Sequence, residues 1–105
     1  MTIYDEREKM AEQQYVIQIE KPFRVRARRD RLLANWMAML LGRDIERCLE
    51  EIIETDFTRG EEGILKKLEH DIGVLGLSGA HELIREKMHK YLADAVREVE
   101  GSIGQ

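Results

Sequence analysis

The chain has 105 residues, a formal net charge of −4, 43% hydrophobic and 36% charged residues, and one cysteine. That length supports one domain and one modest core. The charged-to-apolar balance fits amphipathic helices better than a disordered chain, and a lone Cys48 excludes a disulfide framework. The longest uncharged stretch, Leu32 to Gly42, is too short to span a bilayer, so no membrane insertion is expected.

Thr2-Ile3-Tyr4-Asp5 reads as a capping box, with Asp5 and Glu6 complementing the positive end of a helix dipole and Asp5 spaced to pair with Lys9. A helix is therefore expected to start near residue 3. Between Thr2 and Gln14 only Ile3, Tyr4, Met10 and Ala11 are apolar, so this helix has little to bury. Most helical stability in proteins comes from packing, and a segment of this kind lacks its own packing partner. Pro22 disfavours helical geometry at Lys21 and removes one backbone donor, which predicts a kink or hinge there. One long bent helix over 3–41 is the alternative. The division expected is residues 1–21 as a leading segment and 22–105 as a helical domain.

The second helix is expected from about Pro22 to Leu41, with Val25, Leu32, Leu33, Trp36, Met37, Leu40 and Leu41 on one face and Gly42 as its stop. Met37 and Met39 cannot both point inward, which leaves Met39 exposed. Asp44 caps a third helix with the stripe Ile45, Cys48, Leu49, Ile52, Ile53 and Phe57, ending at Thr58-Arg59-Gly60. Ile64, Leu65, Leu68, Ile72 and Leu75 define a fourth, closed around Gly73 to Gly76. Ser78 is the expected cap of the last helix, which presents Ile84, Met88, Tyr91, Leu92, Ala95 and Val99. Period-two alternation and hairpin dipeptides are missing. The fold class is all-α: a small four-helix bundle preceded by a mobile or kinked N-terminal helix.

Charge is unevenly spread along the chain. Residues 21–31 hold Lys21 and five arginines against Asp30 alone, whereas residues 44–63 hold eight acids against Arg47 and Arg59. Attraction between these faces across the bundle is the simplest reading, with Arg28 and Arg29 pairing with acids of the third helix. Arg24, Arg28, Arg29 and Arg31 also offer a weak site for the phosphates of ADP or ATP. A basic stripe inside an acidic chain, without interleaved aromatics beyond Phe23, argues against a nucleic-acid partner.

Motifs for chemistry are weak. His81-Glu82-Leu83-Ile84-Arg85 has arginine where a helical zinc motif needs its second histidine, and His70, His81 and His89 read as surface or edge residues. Gly60 and Gly63 are not followed by Lys-Ser or Lys-Thr, so there is no phosphate-binding loop, and Cys48 reads as a small buried thiol. No catalytic residue, metal or cofactor is expected.

An ordered set of residues resembles the zeta subunit family, the ATPase inhibitor proteins of alphaproteobacterial F-type ATP synthases. It comprises Asp5-Glu6-Arg7-Glu8-Lys9, Glu12, the aromatics Tyr4, Tyr15 and Phe23, and the basic run followed by Leu32 to Gly42. It continues through Asp56-Phe57, Leu65, Lys67 with Asp71, and Ile84-Arg85 with Met88. The resemblance implies a non-enzymatic regulator that binds the catalytic head, built of alpha, beta and gamma subunits, in the cytoplasm beside the inner-membrane enzyme. It also implies that the inhibitory element is the leading segment, with Thr2, Tyr4, Asp5, Arg7, Glu8, Lys9, Met10, Ala11, Glu12 and Tyr15 as its partner-binding residues. Ala11 departs from the family, which usually carries an aromatic residue at that position.

Overall fold

The computed structural model describes the backbone of residues 3–103 and the side chains of residues 6–11 and 20–102. Three helical elements follow in order: α1 (Ile3–Leu41), α2 (Ile45–Gly73) and α3 (His81–Ile103). Helix α1 continues without a break across Pro22. The single helix over 3–41, the alternative to two separate helices, is what forms, although Pro22 lacks a backbone donor. On either side of the proline, Lys21 Nζ meets Glu100 at 2.8 Å and Val25 packs with Ala95 and Val99, so contacts with α3 hold this turn.

Helix α1 stops at Gly42 as the sequence predicts, with the Arg43 amide donating to the Ala38 carbonyl at 3.0 Å. Asp44 caps α2 by accepting from the Arg47 amide at 3.0 Å. Element α2 is two helical arms, 45–59 and 61–73, folded back on each other. Lys67 Nζ lies 3.4 Å from Glu51 Oε2, although a straight helix would separate residues sixteen apart by about 24 Å. The fold-back occurs at Gly60, with φ 66° and ψ −160°, a region open essentially to glycine alone. Gly63 allows the tip to close, because a Cβ there would collide with the Cβ of Arg59.

With the arms counted separately, four helices form an up-and-down bundle, and the molecule measures 66 × 25 × 24 Å. Leu33, Ala34, Met37 and Ala38 from α1 form the main core with Cys48, Ile52, Ile64, Leu65, Leu68 and Ile72 from α2 and Ile84 from α3. Trp36, half-buried at its edge, lies under the Lys87 ammonium. A second small cluster joins Val25 to Ala95 and Val99. Met37 is buried and Met39 is 83% exposed, as expected.

Several expected positions differ. Ile45 and Ile53 are largely exposed and Phe57 is 91% exposed, whereas Thr55 is buried. The inward face of the first arm is Cys48, Ile52 and Thr55, at helical i, i+4, i+7 spacing; Phe57 falls on the opposite side. Thr55 can take a core position because its hydroxyl donates to the Glu51 carbonyl at 2.8 Å. Leu75 lies beyond the end of α2 and is exposed. Ser78 is not the cap of α3: the helix begins at His81, and it is the Ala80 carbonyl that accepts from the Ile84 amide.

Replacing Gly60 by alanine should cost about 1–3 kcal/mol, because the non-glycine side chain is forced into a strained conformation. Gly73→Ala, where a Cβ meets nothing within 4 Å, should be neutral or slightly stabilising. Urea denaturation of the two variants beside the parent chain measures the contrast.

Candidate functional site

Helix α1 is much longer than the bundle around it. Its first contact with another element among the described side chains is the Lys21–Glu100 pair. Upstream of that point, Glu6, Arg7, Glu8, Lys9, Met10, Ala11 and Glu20 are all exposed, with Met10 at 61%. Residues 3–20 therefore form a helical extension about 27 Å long at 1.5 Å per residue. Of the residues that the resemblance singles out, Arg7, Glu8, Lys9, Met10 and Ala11 lie exposed on this extension. Thr2 and its capping role lie outside the described residues, as do the side chains of Tyr4, Asp5, Glu12 and Tyr15.

At the root of the extension the basic run is paired within the chain. Arg24 lies 3.5 Å from Glu20 on the same helix, Arg26 binds Asp56, Arg28 binds Glu98, and Arg31 lies 3.1 Å from Glu46. Arg28 thus pairs with the last helix rather than with an acid of the third. A phosphate approaching these arginines would have to displace a carboxylate from each.

Arg29 is different in kind, because it is 1% exposed. Its Nη1 and Nη2 grip Glu61 at 2.8 and 2.6 Å, its Nε donates to Asp30 at 2.9 Å, and Asp56 lies 3.7 Å away. This planar fork uses the geometry that distinguishes arginine from lysine. Burial alone would lower the guanidinium's pKa, but hydrogen bonds to Glu61 and Asp30 outweigh it and the net direction is upward. Burial pushes Asp30 up to about 7, helped by its hydrogen bond to Asp56 and opposed by Arg29. The sequence flagged Arg29 as an ion-pairing residue but offered no sign that Asp30 is buried beside it.

The remaining titratable features are structural. Burial raises Cys48 and Tyr91. Burial also acts to raise Glu51, but Lys67 and Arg43 overcome it and hold the carboxyl below its ordinary range. His70, His81 and His89 are exposed, and His81 bridges Glu69 and the Arg85 guanidinium. Among the described residues, no three metal-ligating side chains converge and no helix is long and apolar enough to cross a membrane.

A rod of exposed charged residues on a self-sufficient bundle is the form of a protein that works through contact with another. The family model for ATPase inhibitor subunit zeta matches residues 1–98. The chain belongs to the zeta family of ATPase inhibitor subunits. No curated protein and no solved structure matches it. As a zeta-family chain it has an inhibitory, regulatory role toward the ATP synthase. The match begins in the leading segment, so the rod and the bundle both belong to the family pattern.

Arg29→Met should lower stability by about 3–5 kcal/mol, since it leaves buried carboxylates without their cation. Arg24→Ala, which removes only a surface i,i+4 pair, should change stability by less than about 0.5 kcal/mol. Chemical denaturation at neutral pH reads both.

Proposed function

We propose that residues 3–20 of α1 are the inhibitory element, entering an interface between catalytic and noncatalytic subunits in the F-type ATP synthase head while the bundle serves as carrier. The observation that carries this reading is the extension itself: eighteen helical residues that precede the first contact with the bundle among the described side chains, and that present Glu6 to Ala11 to solvent. No chemistry by this chain is needed. The catalytic sites of a rotary ATPase must open and close in turn, so a rigid helix wedged in one interface stops the cycle.

Inhibition then equals differential binding, since the rod slows turnover only as far as it prefers one state of the interface to the others. Docking follows the helix-in-groove mode, with spaced anchors entering the groove and charged residues meeting its rim. Met10 and Ala11 lie among the exposed residues available as anchors, and Arg7, Glu8 and Lys9 supply the charges. Because the rod continues a helix already nucleated in the bundle, docking costs less ordering entropy than capture of a free peptide. The bundle stays outside the groove as a bulky stop.

A chain beginning after Ile19 should melt as the full chain does and lose all effect on ATP hydrolysis by the catalytic head. Equal inhibition by both chains would assign the activity to the bundle instead. Ala11→Phe, which offers the aromatic anchor usual in the family, should tighten inhibition by about tenfold or more, the gain expected from burying one ring.

A further inference from the structure

The sides of the bundle are charged, but the end remote from the rod is apolar. Its connection 74–80 runs Val-Leu-Gly-Leu-Ser-Gly-Ala, seven residues without a charge in a chain that is 36% charged. The end of α1 and the starts of α2 and α3 lie at the same end, since the turn at Gly60 and the rod occupy the opposite one. Six large aliphatic side chains stand exposed there: Leu40 on α1, Ile45 on α2, Val74, Leu75 and Leu77 in the connection, and Leu83 on α3. Single exposed apolar residues are ordinary, whereas a concentration on one face marks an interaction surface.

The face has a hollow as well as projections. An open groove of about 560 Å³ is lined by Glu69, Gly73, Leu77, Ser78 and His81 with Gly76 and Gly79, and a Cβ on any of these glycines would meet nothing within 4 Å. Ion pairs fix the order of the helices around the bundle. Arg26–Asp56 joins α1 to the first arm of α2, Lys67–Glu51 joins the two arms, Arg85–Glu62 joins the second arm to α3, and Arg28–Glu98 closes the ring. The first arm and α3 therefore stand at diagonal corners. Exposed Arg47 lies in the first turn of the one and exposed Glu82 in the first turn of the other.

We infer that this face binds a second copy of the chain, forming an end-to-end dimer with two-fold symmetry. A two-fold axis in the plane of the face, along the diagonal from α1 to the second arm, exchanges the other two corners. It sets Arg47 of each copy over Glu82 of the other, and Ile45 of each against Leu83 and the glycine-lined groove of the other. A contact of this symmetry needs projection, hollow and both charges on one surface, and this face carries them all. The bundle is 25 × 24 Å across, an end face of about 600 Å², so two copies bury about 1,200 Å² together. That lies at the lower edge of specific interfaces and fits a weak, reversible dimer. An anionic membrane suits the face less, because Asp44, Glu46 and Glu82 border it and the basic run 21–31 lies toward the other end. The main core is complete without this contact, and the two rods extend from opposite ends of the dimer. The inference therefore does not depend on what the rod binds.

Sedimentation equilibrium of the full chain between about 10 μM and 1 mM is the test. The mass should rise from 12.3 kDa toward twice that value, with a Kd of about 10–500 μM. Leu77→Glu, outside the helices, should weaken the dimer about tenfold or more and leave melting unchanged. Arg47→Glu should weaken it about threefold or more, and Glu82→Arg added to that chain should restore it. A chain still at 12.3 kDa at about 1 mM, a dimer untouched by Leu77→Glu, or no recovery in the charge-swapped chain would each overturn the inference. So would a monomer that binds vesicles of phosphatidylcholine and phosphatidylglycerol and loses them with Leu77→Glu, since the face would then belong to lipid. Should Leu77→Glu not fold, the parent chain and the charge-swapped chain decide.

Discussion

The Arg29 fork fixes where this molecule's bundle ends. A guanidinium removed from water costs several kcal/mol unless charge and hydrogen bonds compensate it, and here the compensation comes from one element's own Asp30 and from a hairpin tip brought to meet it. Glu61 follows Gly60, so gripping Glu61 sets the position of the entire turn. Above the fork, Ala34, Met37 and Ala38 belong to the main core with both arms of α2. Below it, α1 meets α2 only through the Arg26–Asp56 pair and α3 through Arg28, Val25 and Lys21, and then has no neighbour at the described side chains.

That layout reconciles two requirements that conflict in an isolated peptide. A helix with the composition of residues 3–20 buries too little to stand alone, because nucleation is costly and there is no apolar face to repay it. As an extension of a packed helix it needs no nucleus and adds one residue at a time. The bundle thereby presents a charged rod already in helical form, which suits a family whose members inhibit a much larger enzyme. Passage through Pro22 fits the same logic, since contacts with α3 at Lys21 and Val25, on either side of it, offset the one hydrogen bond that the ring removes.

Much of the fold is written in local signals. Gly42, Asp44 and Gly60 act where the sequence places them, because a stop, a cap and a tight turn each depend on a few adjacent residues. Failures came where packing decides. Hydrophobicity places Phe57 in the core, but only the rotation of the arm relative to α1 shows that Thr55 occupies that side. The burial of Arg29 and Asp30 was illegible for the converse reason, since periodicity treats charge as surface until its partners are known. Ser78 has the side chain of a cap but lies three residues before the helix that it was expected to cap. The candidate segment was legible as a deficit, a helix pattern with almost no apolar stripe, and its family through an ordered set of residues.

Under the proposed function the bundle satisfies its own contacts and the rod finds its complement in another molecule. Amide hydrogen exchange on the chain alone and on its complex with the ATP synthase catalytic head measures this directly. Residues 6–11 should exchange fast in the free chain and become strongly protected in the complex, while Leu33 to Met37 are protected in both. Protection of residues 6–11 in the free chain equal to that of the bundle, or protection gained in the complex only on the bundle, would contradict it.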